Sequence, residues 1–154
     1  MTATLCLVPG DLLAQECGIL VHQVNARGVM GAGLAKKVRA AFPEVWEDYR
    51  SRYEAGLLHL GRVVFTPVGE ELWVASLVGQ ESYGRQRVQT DYAALQTGLK
   101  AVRRFSRLSG LQVFVPKGLG CGLAGGDWAR VSALLESTLP ECVVLYLPEV
   151  GPSR

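Results

Sequence analysis

The stretch Val21 to Phe42, VHQVNARGVMGAGLAKKVRAAF, narrows the possible folds more than any other part of the chain. It passes from an apolar, β-rich run through a polar turn and three closely spaced glycines into an amphipathic segment. Leu34, Ala35, Val38, Ala41 and Phe42 fall at i, i+1, i+4, i+7 and i+8, the stripe of one helical face, with Lys36, Lys37 and Arg39 on the other. The reading is strand, loop, helix. Glycine lets the backbone reach positive φ and lets a ligand approach without meeting a Cβ. A helix N-terminus adds free N–H donors and a partial positive charge. Such a loop suits an anionic ligand. The alternative is a tight turn with close helix–sheet packing, since isolated glycine patterns have many false positives.

A second region has the same design. Leu111 to Val115 reads as a strand ended by Pro116, followed by KGLGCGLAGG, Lys117 to Gly126. Asp127 is placed to cap a helix from Trp128 to Thr138, whose inward stripe is Trp128, Val131, Leu134, Leu135 and Thr138. Two such loops on one sheet edge could clamp a diphosphate from both sides. The GxxGxG spacing of Gly28, Gly31 and Gly33 is not the dinucleotide GxGxxG pattern, and the absence of GKS or GKT excludes a P-loop.

The remaining elements follow from the same signals. Thr4 to Val8 reads as a strand stopped by Pro9-Gly10, and Ile19 to Val24 as a buried strand. Pro43 ends the first helix and opens another running to about Ala55. Arg62 to Thr66 and Leu72 to Leu77 read as adjacent strands joined by Pro67 to Glu70, and Gly79 to Gln89 as a loop. Thr90 or Asp91 can cap a long helix with Tyr92, Leu95, Leu99, Val102 and Phe105 on one side. Val143 to Leu147 is the last strand, and Pro148 to Arg154 a loose tail. Strands alternating with helices imply a mostly parallel sheet covered on both faces, which binds ligands at the carboxyl ends of its strands.

The 154 residues suit a single domain, 1–154, and the net charge of +2 does not suggest a DNA-coating surface, although a local basic patch stays possible. Cys6, Cys17, Cys121 and Cys142 form no CxxC pair and no zinc-type spacing with His22 or His59, so no metal is expected. No secretory segment and no apolar run long enough for a bilayer is evident, and a reduced, cytoplasmic, monomeric protein is the expectation.

Three motifs together resemble the macrodomain family: GDLL (Gly10 to Leu13), VHQVNARGVMGAGLAKKVRAAFP (Val21 to Pro43) and GLGCGLAGGDW (Gly118 to Trp128). The resemblance spans Leu5 to Leu147 and looks strongest toward the branch of terminal ADP-ribose glycohydrolases and related bacterial and phage proteins. It implies a six-stranded mixed sheet in a three-layer α/β/α sandwich that binds ADP-ribose in a surface cleft, with no cofactor. Asp11 would accept from the adenine amino group, beside the Leu12 backbone, as an acceptor-only carboxylate can. Gly28, Val29, Met30, Gly31, Ala32 and Gly33 would lie along the diphosphate and distal ribose. Gly118, Leu119, Gly120, Cys121, Gly122, Leu123 and Ala124 would close the other side, with Asn25 facing the distal ribose and Tyr146 near the adenine. Each assignment has a plainer counterpart. Asp11 and Asn25 can satisfy local backbone groups, Tyr146 can be core, and His22 fits a structural histidine on a strand. Cys121 is in a loop where a helix can lower a thiol pKa, but a packed role outweighs a nucleophilic one.

The resemblance also implies the activity: removal of ADP-ribose from modified protein or nucleic acid, or hydrolysis of a small ADP-ribose ester, with a non-catalytic ADP-ribose reader as the alternative. The glycohydrolase branch leads one to expect a lysine before the long helix and an aspartate in the second loop. Here that segment reads GQESYGRQRVQTDY, and the aspartate position is Ala124. The polar candidates left for catalysis are Asn25, Gln80, Tyr83, Arg85 and Asp127, with Arg87, Thr90 and Asp91 beside them. An N-cap role accounts for Asp127 without catalysis.

Overall fold

The computed structural model describes residues 4–84 and 86–148. Its strands are β1 (Cys6–Pro9), β2 (Gly18–Asn25), β3 (Val63–Gly69), β4 (Leu72–Gln80), β5 (Val113–Pro116) and β6 (Val143–Tyr146). Its helices are α1 (Gly33–Ala41), α2 (Pro43–Glu54), α3 (Tyr92–Ser109) and α4 (Trp128–Thr138). The strands form one sheet in the order β1-β6-β5-β2-β4-β3. Neighbours run parallel except the β3–β4 hairpin at one edge.

Strand alternation sorts the core into two layers. On β2, Ile19 and Val21 join Leu95, Leu99, Val131 and Leu135 beneath α3 and α4, whereas Leu20 and Val24 join Val38, Val45 and Tyr49 beneath α1 and α2. Seven of the eight residues of β2 are buried, because helices cover both faces. Each fully buried Leu, Ile or Val contributes about 1.5–3 kcal/mol.

The expected element order holds, and its boundaries shift for physical reasons. The expected connection Pro67 to Glu70 is largely strand, since β3 runs through Gly69. Pro67 is tolerated there because β3 is an edge strand. The first strand is displaced from Thr4–Val8 to Cys6–Pro9, with Pro9 paired to Tyr146 at the other edge. Residues 12–14 form a short 3-10 turn that the sequence reading left as an unspecified turn; Asp11 caps it by accepting from the Leu13 N–H at 3.0 Å. Asp91, not Thr90, caps α3, accepting from Ala94 at 2.9 Å. Residues 149–154 of the expected tail lie outside the described residues.

Candidate functional site

A cleft of about 800 Å³ opens at the carboxyl ends of β2, β4 and β5. Its floor is Gln23, Val24 and Asn25. One wall is Val29 through Ala35, running from the first glycine loop into α1. The opposite wall is Pro116 through Gly120 with Gly122, Leu123 and Ala124, and Gln80, Tyr83 and Gly84 close one end.

Asn25 organises the first loop. Its Oδ1 accepts from the Arg27 N–H at 2.9 Å, the Val29 N–H at 3.4 Å and the Tyr49 hydroxyl at 3.0 Å, and its Nδ2 donates to the Val29 carbonyl at 2.9 Å. One N–H of the amide is left for the cleft. Gly28 lies on the other side of the loop: it adopts φ +76°, and the Tyr53 ring occupies the space a Cβ would need. It packs against α2 and does not line the cleft. Gly31 does line it and has room, with only Val29 Cγ1 near its Cβ position at 3.7 Å.

The loop delivers an open helix end. The N-cap of α1 is Ala32, which offers no side-chain acceptor, and no acid occupies the first turn. The Lys36 N–H is the first to find an i−4 carbonyl, that of Ala32. Helical geometry therefore leaves the preceding N–H groups without intrahelical partners, and Gly33, Leu34 and Ala35 all line the cleft. Backbone donors and the positive end of the helix dipole converge on one wall.

The second loop is bound to its surroundings. Gln89 donates its N–H to the Ala124 carbonyl at 2.8 Å, Gly126 N–H bonds Gly120 carbonyl at 2.9 Å, and Thr90 Oγ1 donates to the same Gly120 carbonyl. Gln23 Nε2 reaches Thr90 Oγ1 at 3.0 Å and Gln80 Oε1 at 2.8 Å, so one side chain ties β2, β4 and the start of α3 together. Its Oε1 is buried without a partner. Gly120 adopts φ +73°, which favours glycine, and a Cβ there would stand 2.8 Å from that oxygen. Leu123 reaches across toward Gly33, 3.3 Å from where a Cβ would lie. The two glycine loops thus meet over the cleft.

Among the other residues singled out from the sequence, Val29, Met30, Gly31, Ala32, Gly33, Gly118, Leu119, Gly120, Gly122, Leu123, Ala124, Gln80 and Tyr83 line this cleft with Asn25. Asp11, Leu12, Cys121, Tyr146 and Asp127 do not, and Arg85 lies outside the described residues. Asp127 caps α4, accepting from the Ala129 N–H at 2.9 Å. Cys121 departs from the lowered pKa its loop position suggests: burial, and then the nearby Asp127 charge, push its thiol up. It is held protonated, with Sγ 3.3 Å from the Leu119 carbonyl. His22 is buried against Ser76 Oγ at 2.7 Å, away from the cleft, and desolvation lowers its pKa to about 4.

Sequence reading missed Gln23 and Lys117. Gln23 is one polar residue in an apolar strand, and that contrast was the available signal. Lys117 begins the second glycine loop, lines the cleft and places its ammonium 5.7 Å from the centre of the Tyr146 ring.

Comparison with known proteins decides the fold. No family model matches the chain. Over 149 residues it is 30% identical to a DNA ADP-ribosyl glycohydrolase of Mycobacterium tuberculosis, covering 94% of this chain and 42% of that protein. The solved macrodomain of Mycobacterium tuberculosis DarG superposes with a TM-score of 0.80 at 28% identity, covering 96% of this chain and 99% of that one. The chain has the macrodomain fold. A macrodomain protein from Streptomyces coelicolor is similar to the same extent, with a TM-score of 0.79, 27% identity and coverage of 95% and 100%. This macrodomain spans about two fifths of the length of the named glycohydrolase relative. Among its described residues no helix is long and apolar enough to cross a membrane.

Proposed function

We propose that this macrodomain binds ADP-ribose in the cleft between its glycine loops and hydrolyses it from a modified macromolecule, with ADP-ribosylated nucleic acid the leading substrate class. The observation that carries the reading is the uncapped N-terminus of α1 facing a cleft of about 800 Å³, opposite a second glycine wall. A diphosphate needs backbone donors and positive potential without bulk, and this wall supplies them. The mycobacterial relative is named a DNA ADP-ribosyl glycohydrolase, which supports the substrate class.

In this reading the adenosine lies toward Asp11, Tyr146 and Lys117. The distal ribose lies toward Asn25, Gln80 and Tyr83, where the remaining Asn25 N–H meets a ribose oxygen. Hydrolysis adds a water oxygen to the anomeric carbon. The bond to the leaving atom breaks with its electron pair, and a water proton ends on that atom. In this reading Gln80 and Tyr83, which line the cleft, orient the water. Asp127, an N-cap, takes no part in this reading.

A second reading has its own observation: the described part of the segment before α3 carries no lysine, and Ala124 is buried in the wall where the branch places an aspartate. That favours a reader that binds without turnover. Release of ADP-ribose from modified DNA and from protein modified on acidic side chains, run in parallel, decides between them. Product from the DNA above background is expected. No product from any linkage, with tight ADP-ribose binding, establishes the reader instead.

A further inference from the structure

The amide of Gln23 is committed inside the protein. Both N–H groups of its Nε2 are donated, to Gln80 Oε1 at 2.8 Å and to Thr90 Oγ1 at 3.0 Å. Its Oε1 is buried and has no partner among the described residues. A buried amide oxygen without a donor is costly, and a leucine or methionine in this apolar strand would avoid the cost. Room is nevertheless kept for it. A Cβ on Gly79 would collide with that oxygen, although Gly79 has no positive φ and its backbone conformation is open to other residues.

Backbone bonds already join the elements that this amide touches. β2 and β4 pair along their length, Gln80 bridges Thr90, and the Asp91 N–H reaches the Gly79 carbonyl at 2.7 Å. What the Gln23 amide adds is polarity. Because it donates to Gln80 Oε1, the Gln80 amide is turned with its Nε2 toward the Ser82 carbonyl, 2.7 Å away. Gln80 is thus fixed at both ends of its amide, leaving one lone pair and one N–H for the cleft. Ser82 immediately precedes Tyr83, so the same chain of bonds settles the backbone from which Tyr83 reaches the cleft. The second branch acts on the opposite wall: Thr90 Oγ1 accepts from Gln23 and gives its single proton to the Gly120 carbonyl.

We propose that Gln23 is the positioning residue for hydrolysis. Its own polar atoms are committed within the protein, so it acts through Gln80, fixing which end of that amide accepts and how it orients the attacking water. The inference rests on the hydrolytic reading of the cleft.

Release of ADP-ribose from an ADP-ribosylated DNA oligonucleotide by the intact chain tests it, with calorimetry of free ADP-ribose alongside. Gln23→Met keeps the length of the side chain and removes both donors. It should lower kcat about thirtyfold, as a small misplacement can, with KM and ADP-ribose affinity within about threefold of wild type. Its melting temperature should stay within a few degrees of wild type. Gln80→Ala should lose as much kcat, and the double variant should be no slower than Gln80→Ala, because residues acting as a unit are non-additive. Losses that multiply in the double variant overturn the proposal. So does a Gln23→Met protein with wild-type kcat, or one whose loss lies in KM; both leave the hydrolytic reading standing. If methionine lowers the melting temperature further, Gln23→Glu, of equal length but with no N–H, repeats the test. Loss of the folded state in both variants assigns Gln23 to the fold alone and overturns the positioning role. No turnover by the wild type, with ADP-ribose bound tightly, overturns the hydrolytic reading and the positioning role with it.

Discussion

The two glycine loops reach their helices in different states. At α1 the N-cap is Ala32, and the first turn faces the cleft with unused N–H groups. At α4 the N-cap is Asp127, whose carboxylate accepts from Ala129, while the loop before it is tied down through Thr90, Gln89 and Gly126. Both loops are rich in glycine, so composition does not separate them. Their difference lies in where backbone hydrogen bonds end. One loop keeps its donors available, as an anion site requires. The other has committed much of its polar backbone and forms a shaped wall with Leu123 leaning across. An anion site at a helix end depends on the missing cap as much as on the glycines.

That contrast can be broken most severely at Gly31. Glutamate there sets a carboxylate against the diphosphate, and like charges in contact cost several kcal/mol, so ADP-ribose affinity should fall about a thousandfold. Calorimetry checks the loss, and a thermal midpoint within a few degrees of wild type checks the fold, since the Cβ site is open. Unchanged affinity removes the diphosphate from this wall.

A pH series sharpens the comparison by probing the strand beneath the loops. His22 has its pKa lowered to about 4 from 6.5 by burial, so the unfolded chain takes up a proton across that window and the folded chain does not. Its contribution to stability is therefore complete above about pH 6.5 and is lost as pH falls toward 4, by about 3 kcal/mol. Denaturant unfolding of wild type and His22→Gln should converge in acid. Parallel pH curves sink the assignment.

Swapping the caps comes next. Ala32→Asp should seal α1 as Asp127 seals α4, stabilising the fold by about 1 kcal/mol while its carboxylate competes for the anion site and weakens ADP-ribose binding about tenfold. Stabilisation without weaker binding would show that the ligand does not use the helix end. The smallest effect is expected from Asp127→Ala, which should cost about 1 kcal/mol of stability and leave ADP-ribose affinity within about twofold. A large loss of turnover at unchanged affinity would return Asp127 to catalysis.

Much of the fold was legible because period and punctuation are local. The stripe Leu34, Ala35, Val38 and Phe42 predicts α1, although Ala41 at its end is exposed. Pro43 correctly divides α1 from α2, and Asp127 marks the start of α4. Pro67 misled because its meaning depends on whether the strand is an edge, which pairing alone decides. Much of the cleft was legible through its glycines. Gln23 was not: its contrast with an apolar strand marks the residue but not its role, which comes from Gln80 and Thr90, 57 and 67 residues away. The Gly28 position was readable as a glycine, but not as one facing Tyr53 in place of the cleft.

The sequence by itself determined the order of elements, the two glycine loops at strand ends and the resemblance to macrodomains, because these depend on residues close together in the chain. Tertiary structure decided that Asn25 holds the first loop and that Gln23 and Thr90 anchor the second. Those outcomes rest on which donors and acceptors meet across the sheet, and a buried polar group's partner is set by packing.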